Sequence, residues 1–272
     1  MDHASPPAAV KRLGQNFLVD PNIVRKIVTA AALGPDDSVL EIGPGRGILT
    51  AALCRSAGHV TAVEIDPRLH SYVSQEQAHS PNLTLVLDDA LRYPIENLSQ
   101  GTVVVANLPY YISTPILFRL LDHHHRFSRM VLMLQDEVAN RLIANPATPD
   151  YGMLSVMAQY AADITKVFKV SPNCFRPRPE VSSAVVRLQP KTQRTLTPQE
   201  EPGFASLVKA AFAHRRKTLV NSLKDEGYQQ DTVLQALRHL ARSLTTRAEA
   251  LSVADFLELA RLIPLPYRDP RP

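Results

Sequence analysis

Cysteine is nearly absent from the 272 residues: Cys54 and Cys174 are the only two. They lie 120 positions apart in no metal-type or C-x-x-C spacing, so no disulfide framework is implied. No apolar run approaches bilayer-spanning length. The first ten residues lack a cationic start leading into an apolar core, so they read as a polar tail rather than a secretory signal. No membrane association and a cytoplasmic location are therefore expected. His123, His124 and His125 are adjacent, and neighbours on a helix point about 100° apart, so they converge poorly on one ion. No metal site is expected.

What is present is ordinary in amount and uneven in placement. The apolar share is 45% and the charged share 21%, which excludes a disordered or fibrous chain. The length suits one domain of normal size plus an appendage. The net charge is +4, but residues 1–180 carry 16 basic and 17 acidic side chains, whereas residues 181–272 carry 14 and 9. The basic excess falls in the last third, where a polyanion would be met.

Asp20 followed by Pro21 marks a helix start, and Ile23, Ile27, Val28 and Ala31 keep helical spacing up to Gly34. Strand and helix patterns then alternate. Strands are expected at 39–42, 60–65, 83–87, 103–106 and 130–134, with helices at 48–57, 69–78 and from 114 to about 123. This order predicts an α/β fold, a mostly parallel Rossmann-like sheet covered on both faces. Helices at 136–143 and 153–160 precede two consecutive strands, 164–170 and 182–188, which must close the sheet as an antiparallel hairpin. Between them, 171–180 holds three prolines and reads as irregular.

The polar, proline-containing stretch 189–202 marks a domain boundary, giving a catalytic domain at 1–190 and a small all-α domain at 191–272. In the latter one helix face runs from Phe204 through Phe212 and on through Leu223. A further helix follows at 233–240. Thr246 with Glu249, and Ser252 with Asp255, read as capping boxes.

Ten glycines exist in the chain, and three fall within five residues, in Glu41-Ile-Gly43-Pro44-Gly45-Arg46-Gly47. This turn follows a strand and opens a helix, the place where an open α/β sheet binds its ligand. A dinucleotide fingerprint would need glycine at Ile48, and Pro44 removes an N–H that would cradle a pyrophosphate. The Walker lysine is also missing. A nucleoside ligand without phosphates fits better, and S-adenosylmethionine is the common one. Glu64 closes the second strand of the alternation and is placed to accept from ribose hydroxyls. Asp89, at the end of the third, is placed to accept from the adenine amine.

The fourth strand ends in Asn107-Leu108-Pro109-Tyr110. The exocyclic amine of adenine is a poor nucleophile because its lone pair is delocalised into the ring. Holding both amino hydrogens on acceptors pulls the nitrogen towards a tetrahedral shape. The Asn107 side-chain oxygen and a main-chain carbonyl of Leu108 or Pro109 are the acceptors available, with Tyr110 as a stacking platform.

Taken with Gly14-Gln-Asn-Phe-Leu18, Phe175-x-Pro-x-Pro-x-Val181, Ser183-Ala-Val-Val186 and Arg215-Arg-Lys-Thr-Leu219, these motifs resemble the small-subunit ribosomal RNA adenine dimethyltransferase family. The similarity runs from about Lys11 to about Ile263. It implies transfer of two methyl groups from S-adenosylmethionine to each of two adjacent adenines in a hairpin near the 3′ end of that RNA. It also implies that Asn16 and Leu18 cover the cofactor, that Gly43, Gly45, Glu64 and Asp89 hold it, and that Asn107 touches both cofactor and target. Phe175 would stack on the adenine face opposite Tyr110. Arg46 and Tyr111 depart from the family, where an apolar residue and Asn are common. The target base must leave its stack to be reached. Arg215, Arg216, Lys217 and Lys224 are the expected phosphate contacts, with Lys11 and Arg12 assisting.

The expected partners are small-subunit ribosomal RNA and the immature small subunit, met by a monomer. The rival readings are a large-subunit RNA adenine methyltransferase of the macrolide-resistance type and a non-catalytic ribosome assembly factor. Leu108 in place of Ile disfavours the former, and intact Asn107, Glu64 and Asp89 disfavour the latter. A DNA adenine methyltransferase would carry an Asp-Pro-Pro-Tyr-like motif, and Ile48 argues against a dehydrogenase.

Overall fold

Seven strands form one sheet in the computed structural model, which describes residues 5–10, 14–193 and 195–266. They are β2 (Ser38–Ile42), β3 (His59–Glu64), β4 (Leu83–Leu87), β5 (Thr102–Asn107), β6 (Phe127–Gln135), β7 (Ala162–Val170) and β9 (Ser183–Pro190). Their order is β4-β3-β2-β5-β6-β9-β7. The first five are mutually parallel, and β9 runs antiparallel to both β6 and β7. The expected antiparallel close of the sheet is therefore present, with the later strand of the pair on the inside. Successive β5 residues Val103, Val104 and Val105 are all fully buried, because helices cover both faces of a parallel sheet.

A further pair, β1 (Phe17–Leu18) and β8 (Phe175–Arg176), forms a two-residue antiparallel ladder that places Leu18 opposite Phe175. The segment read as wholly irregular thus contains a short strand. Its pairing depends on a partner more than 150 residues away, which local composition does not reveal.

Helix α1 (Pro21–Ala31) starts as the Asp-Pro signal indicates: the Asp20 carboxylate accepts from the Asn22 N–H at 2.8 Å, and Pro21 occupies the first turn. Its buried face, Ile23, Val24, Ile27 and Ala31, packs with Leu49 and Leu53 of α2 (Ile48–Cys54) onto Val103, Val105 and Val131. α3 (Pro67–Glu76) is capped in the same way by Asp66, whose carboxyl is drawn down to about 2, chiefly by the Arg68 side chain. α4 (Ser113–Asp122) links β5 to β6, and His123–His125 form its end and the following turn.

Two compact units result, Met1–Ala139 with Ala162–Pro190, and Asn140–Ala161 with Lys191–Pro272. Residues 140–161, read from sequence as part of the first domain, group with the helical unit instead. The reason is specific packing: the buried Tyr151 donates its hydroxyl to the Leu251 carbonyl and sets its ring against Phe212, while the Ala147 N–H donates to the Glu249 carbonyl. α5 (Asp136–Ile143) runs across the division and α6 (Met153–Ala161) lies wholly in the second unit.

The remaining helices are α7 (Glu201–Phe212), α8 (Leu219–Asp225), α9 (Gln230–His239) and α10 (Val253–Leu262). The apolar face expected to run unbroken from Phe204 to Leu223 belongs to two helices. Thr218 caps α8 by accepting from the Asn221 N–H, so Arg215, Arg216 and Lys217 sit in the intervening turn rather than on a helix. The Ser252–Asp255 capping box forms in full. The Thr246–Glu249 box does not: Arg247 precedes a single 3-10 turn at Ala248–Ala250 without a side-chain cap, and the Thr246 carbonyl accepts from the Leu219 N–H.

Candidate active site

The carboxyl ends of β2, β3, β4 and β5 open into one cleft of about 930 Å³, its mouth included. Asn16, Leu18, Gly43, Gly45, Glu64, Asp89, Asn107, Leu108, Pro109 and Tyr110 all line it. Only Phe175 among the expected site residues does not. Its side chain is fully buried in the core formed with Leu18, Val170 and Val185, so it pins the proline-rich loop and presents no face for stacking.

The glycine turn is tightly enclosed. Gly45 has φ +59°, and a Cβ there would come within 3.1 Å of the Phe17 ring. A Cβ on Gly43, also at positive φ, would lie 3.5 Å from the Pro109 ring, so the turn after β2 and the motif after β5 face one another. Glu64 is 4% exposed, and its carboxylate accepts from the N–H of Gly45 at 3.2 Å and of Asp66 at 2.9 Å. It therefore braces the turn and the end of its own strand. Burial pushes its carboxyl above the usual range, and the two backbone donors oppose this. Asp89 accepts from the Leu91 N–H through Oδ1.

Asn107 donates from Nδ2 to the Asn16 carbonyl at 3.5 Å, and Asn16 in turn donates to the Gly14 carbonyl. The Asn107 amide is thus oriented through its nitrogen, leaving Oδ1 as an acceptor. Of the two candidate carbonyls, that of Pro109 accepts from the Ile112 N–H, whereas that of Leu108 has no partner among the described residues. The Leu108 side chain is buried and its N–H donates to the Met133 carbonyl, which fixes the peptide. The Leu108 oxygen is therefore the better match to the acceptor that the sequence left open.

Two contributors, Ser183 and Glu41, escaped the sequence reading, whereas Tyr111 was singled out by it. Ser183, the first residue of β9, is fully buried and hydrogen-bonds Tyr110 at 2.6 Å between hydroxyl oxygens, which anchors the hydroxyl end of the Tyr110 side chain. Burial raises the Tyr110 phenol and this bond opposes the rise. The two residues are 73 positions apart, so no local signal links them. Glu41, only 1% exposed, lines the cleft with Oε2 unpartnered, and burial drives its carboxyl up to about 8, opposed by Thr50 and reinforced by Glu64. Its place in the Glu-Ile-Gly-Pro-Gly motif was the available clue. Tyr111, 45% exposed, forms part of the rim beside Gly14.

A carboxylate braced at the end of β3, another at the end of β4, and an oriented amide at the end of β5 thus line one cleft. A family model described as ribosomal RNA adenine dimethylase matches residues 8–264. The chain is 45% identical over 263 residues to ribosomal RNA small subunit methyltransferase A of Chlorobaculum parvum, covering 96% of this chain and 92% of that protein. A crystal structure of a dimethyladenosine transferase from Plasmodium falciparum superposes with a TM-score of 0.78 at 30% identity, over 91% of this chain and 99% of the other. That of the 23S rRNA methyltransferase ErmE gives 0.69 at 29% identity, with the same two coverages. Motif, cleft and similarity along almost the full length agree: the chain belongs to the ribosomal RNA adenine dimethylase family.

Proposed function

We propose that this protein dimethylates the N6 amino groups of two adjacent adenosines in a hairpin near the 3′ end of small-subunit ribosomal RNA, using S-adenosylmethionine, during small-subunit maturation. The observation that carries this reading is the polarity of the Asn107 amide. Its nitrogen is engaged by Asn16, so its oxygen and the Leu108 carbonyl are left to accept the two protons of an exocyclic amine. Held by two acceptors, that nitrogen gains lone-pair density directed away from the ring plane. Tyr110, fixed by Ser183, supplies the aromatic surface against which the base lies.

The residues of the cleft fit the methyl donor. Glu64 and Asp89 offer acceptors for a ribose and an adenine, the close approach of Gly45 to Phe17 leaves a flat backbone wall, and the orphaned Glu41 Oε2 suits a cationic ammonium. When bound, S-adenosylmethionine supplies an electrophilic methyl group, and the protein contributes placement and electrostatics. Asn16 and Leu18 form the wall of the cleft that leads into β1. The buried position of Phe175 leaves the second face of the target base to another group.

The small-subunit substrate is preferred to a large-subunit one because curated relatives at 42–45% identity over more than nine-tenths of the chain are named for the small subunit, and because Leu108 stands where the large-subunit type usually carries Ile. We place the protein in the cytoplasm as a monomer acting on the immature subunit. No described helix is long and apolar enough to cross a membrane. Purified protein, small-subunit RNA or particles, and S-adenosylmethionine should yield N6,N6-dimethyladenosine on nucleoside mass spectrometry. Absence of that nucleoside, with both bare RNA and particles supplied, would remove the proposal.

The helical unit is assigned to RNA binding. Arg215, Arg216 and Lys217 are exposed in the turn between α7 and α8, where Arg215 also donates to the Pro149 carbonyl and Lys217 pairs with Asp225. Lys224 is exposed on α8. Lys11 and Arg12 lie outside the described residues. Replacing Arg215, Arg216 and Lys217 by Ala should reduce the slope of log affinity against log salt by roughly 2 to 3, the release expected for three phosphate contacts. An unchanged slope would mean that this turn faces only solvent.

A further inference from the structure

Arg46 stands between two glycines of the turn and lines the cleft. Its side chain is held from two sides. Nη2 donates to the Pro7 carbonyl at 2.9 Å, and the guanidinium carbon lies 4.5 Å from the centre of the Phe17 ring. Its Nε is buried and has no partner. No carboxylate pairs with it among the described residues. A buried cationic N–H left unmet is costly, and folded proteins rarely keep one without a use. Glu41 Oε2 is the matching orphan of opposite polarity in the same cleft.

The strand order says which part of a ligand would meet them. Along the edge β4-β3-β2-β5, Asp89 ends one side, Glu64 follows, the glycine turn comes next, and Asn107 closes the series. With adenine at Asp89, ribose at Glu64 and the target amine at Asn107, the amino-acid tail of the donor falls at the end of β2. That tail is a zwitterion: Arg46 offers a cation to its carboxylate, and Glu41 an unpartnered oxygen to accept from its ammonium.

We infer that Arg46 binds the α-carboxylate of the methyl donor through the planar fork of its guanidinium. The inference rests on the donor site proposed above. Arg46 is pre-placed by Phe17 and Pro7, so little side-chain entropy is lost on binding.

The test is calorimetric and pairs two ligands with two proteins. S-Adenosylmethionine carries the carboxylate. Decarboxylated S-adenosylmethionine keeps the nucleoside, sulfonium and amine but lacks it. Arg46→Leu should weaken the first on the order of 10- to 100-fold, the range of a charge-assisted hydrogen bond, and leave the second within about 2-fold. Arg46→Lys, which retains charge without the fork, should fall between, and it serves if the Leu variant does not fold. Equal weakening of both ligands would overturn the inference, because Arg46 would then act only by holding Phe17 and the 5–10 segment. No weakening of either would overturn it as well. If the unaltered protein bound neither ligand, the donor site itself would be wrong, a result distinct from both.

Discussion

Asn107→Ala is expected to lower the rate of methyl transfer by about 10²- to 10³-fold, as when a single preorganised polar contact to a reacting centre is removed. RNA affinity should be unchanged, because the amide lies inside the cleft and not on a phosphate-facing surface. The size of the effect follows from the division of labour within the side chain. Nδ2 is committed to the Asn16 carbonyl, so the loss of Oδ1 leaves the Leu108 carbonyl as a lone acceptor and the amine keeps its planar, delocalised form. Single-turnover rates with saturating RNA and donor isolate the chemical step. A near-normal rate would mean that the amine is activated by something other than this amide.

Glu64→Gln is expected to weaken S-adenosylhomocysteine binding on the order of 10²-fold by calorimetry. The carboxylate accepts from Gly45 and Asp66 and still has lone pairs for a ribose diol, and Gln replaces one acceptor oxygen by a donor. The pH dependence carries a second signature. Burial holds the folded-state value of Glu64 above the ordinary carboxylate value. Its contribution to folding is therefore fully present below the unfolded value and is lost as pH rises through the folded one. Ligand binding runs the other way, because hydroxyl donors favour the charged form. Affinity should thus fall on the acid side, beginning above the pH at which an ordinary Glu titrates. Identical profiles for the two proteins would take Glu64 out of the binding site.

The parts of this site that could be read in advance share a cause. Gly43, Glu64, Asp89 and Asn107 each follow a strand whose apolar run is unmistakable, and a parallel sheet brings the carboxyl ends of its strands to one edge. The misreadings share a different cause. Phe175 sits in a loop whose prolines erase periodicity, and its burial depends on distant Leu18. The break between α7 and α8 carries neither Gly nor Pro; the sign was Thr218, an N-cap residue standing inside what looked like a continuous apolar face. Residues 140–161 looked like a connection between strands because the contacts that claim them for the helical unit, a ring against Phe212 and a hydrogen bond to the Leu251 carbonyl, lie far along the chain. The Ser183–Tyr110 bond had no sequence signature at all.

The two-residue ladder between β1 and β8 is small, yet it splices the beginning of the catalytic unit to a loop near its end. Asn16 stands one position before that splice, and its carbonyl steers Asn107. A substitution at Phe175 or Arg176 that loosened the ladder would therefore be felt at the Asn107 amide through Asn16, although neither residue lines the cleft.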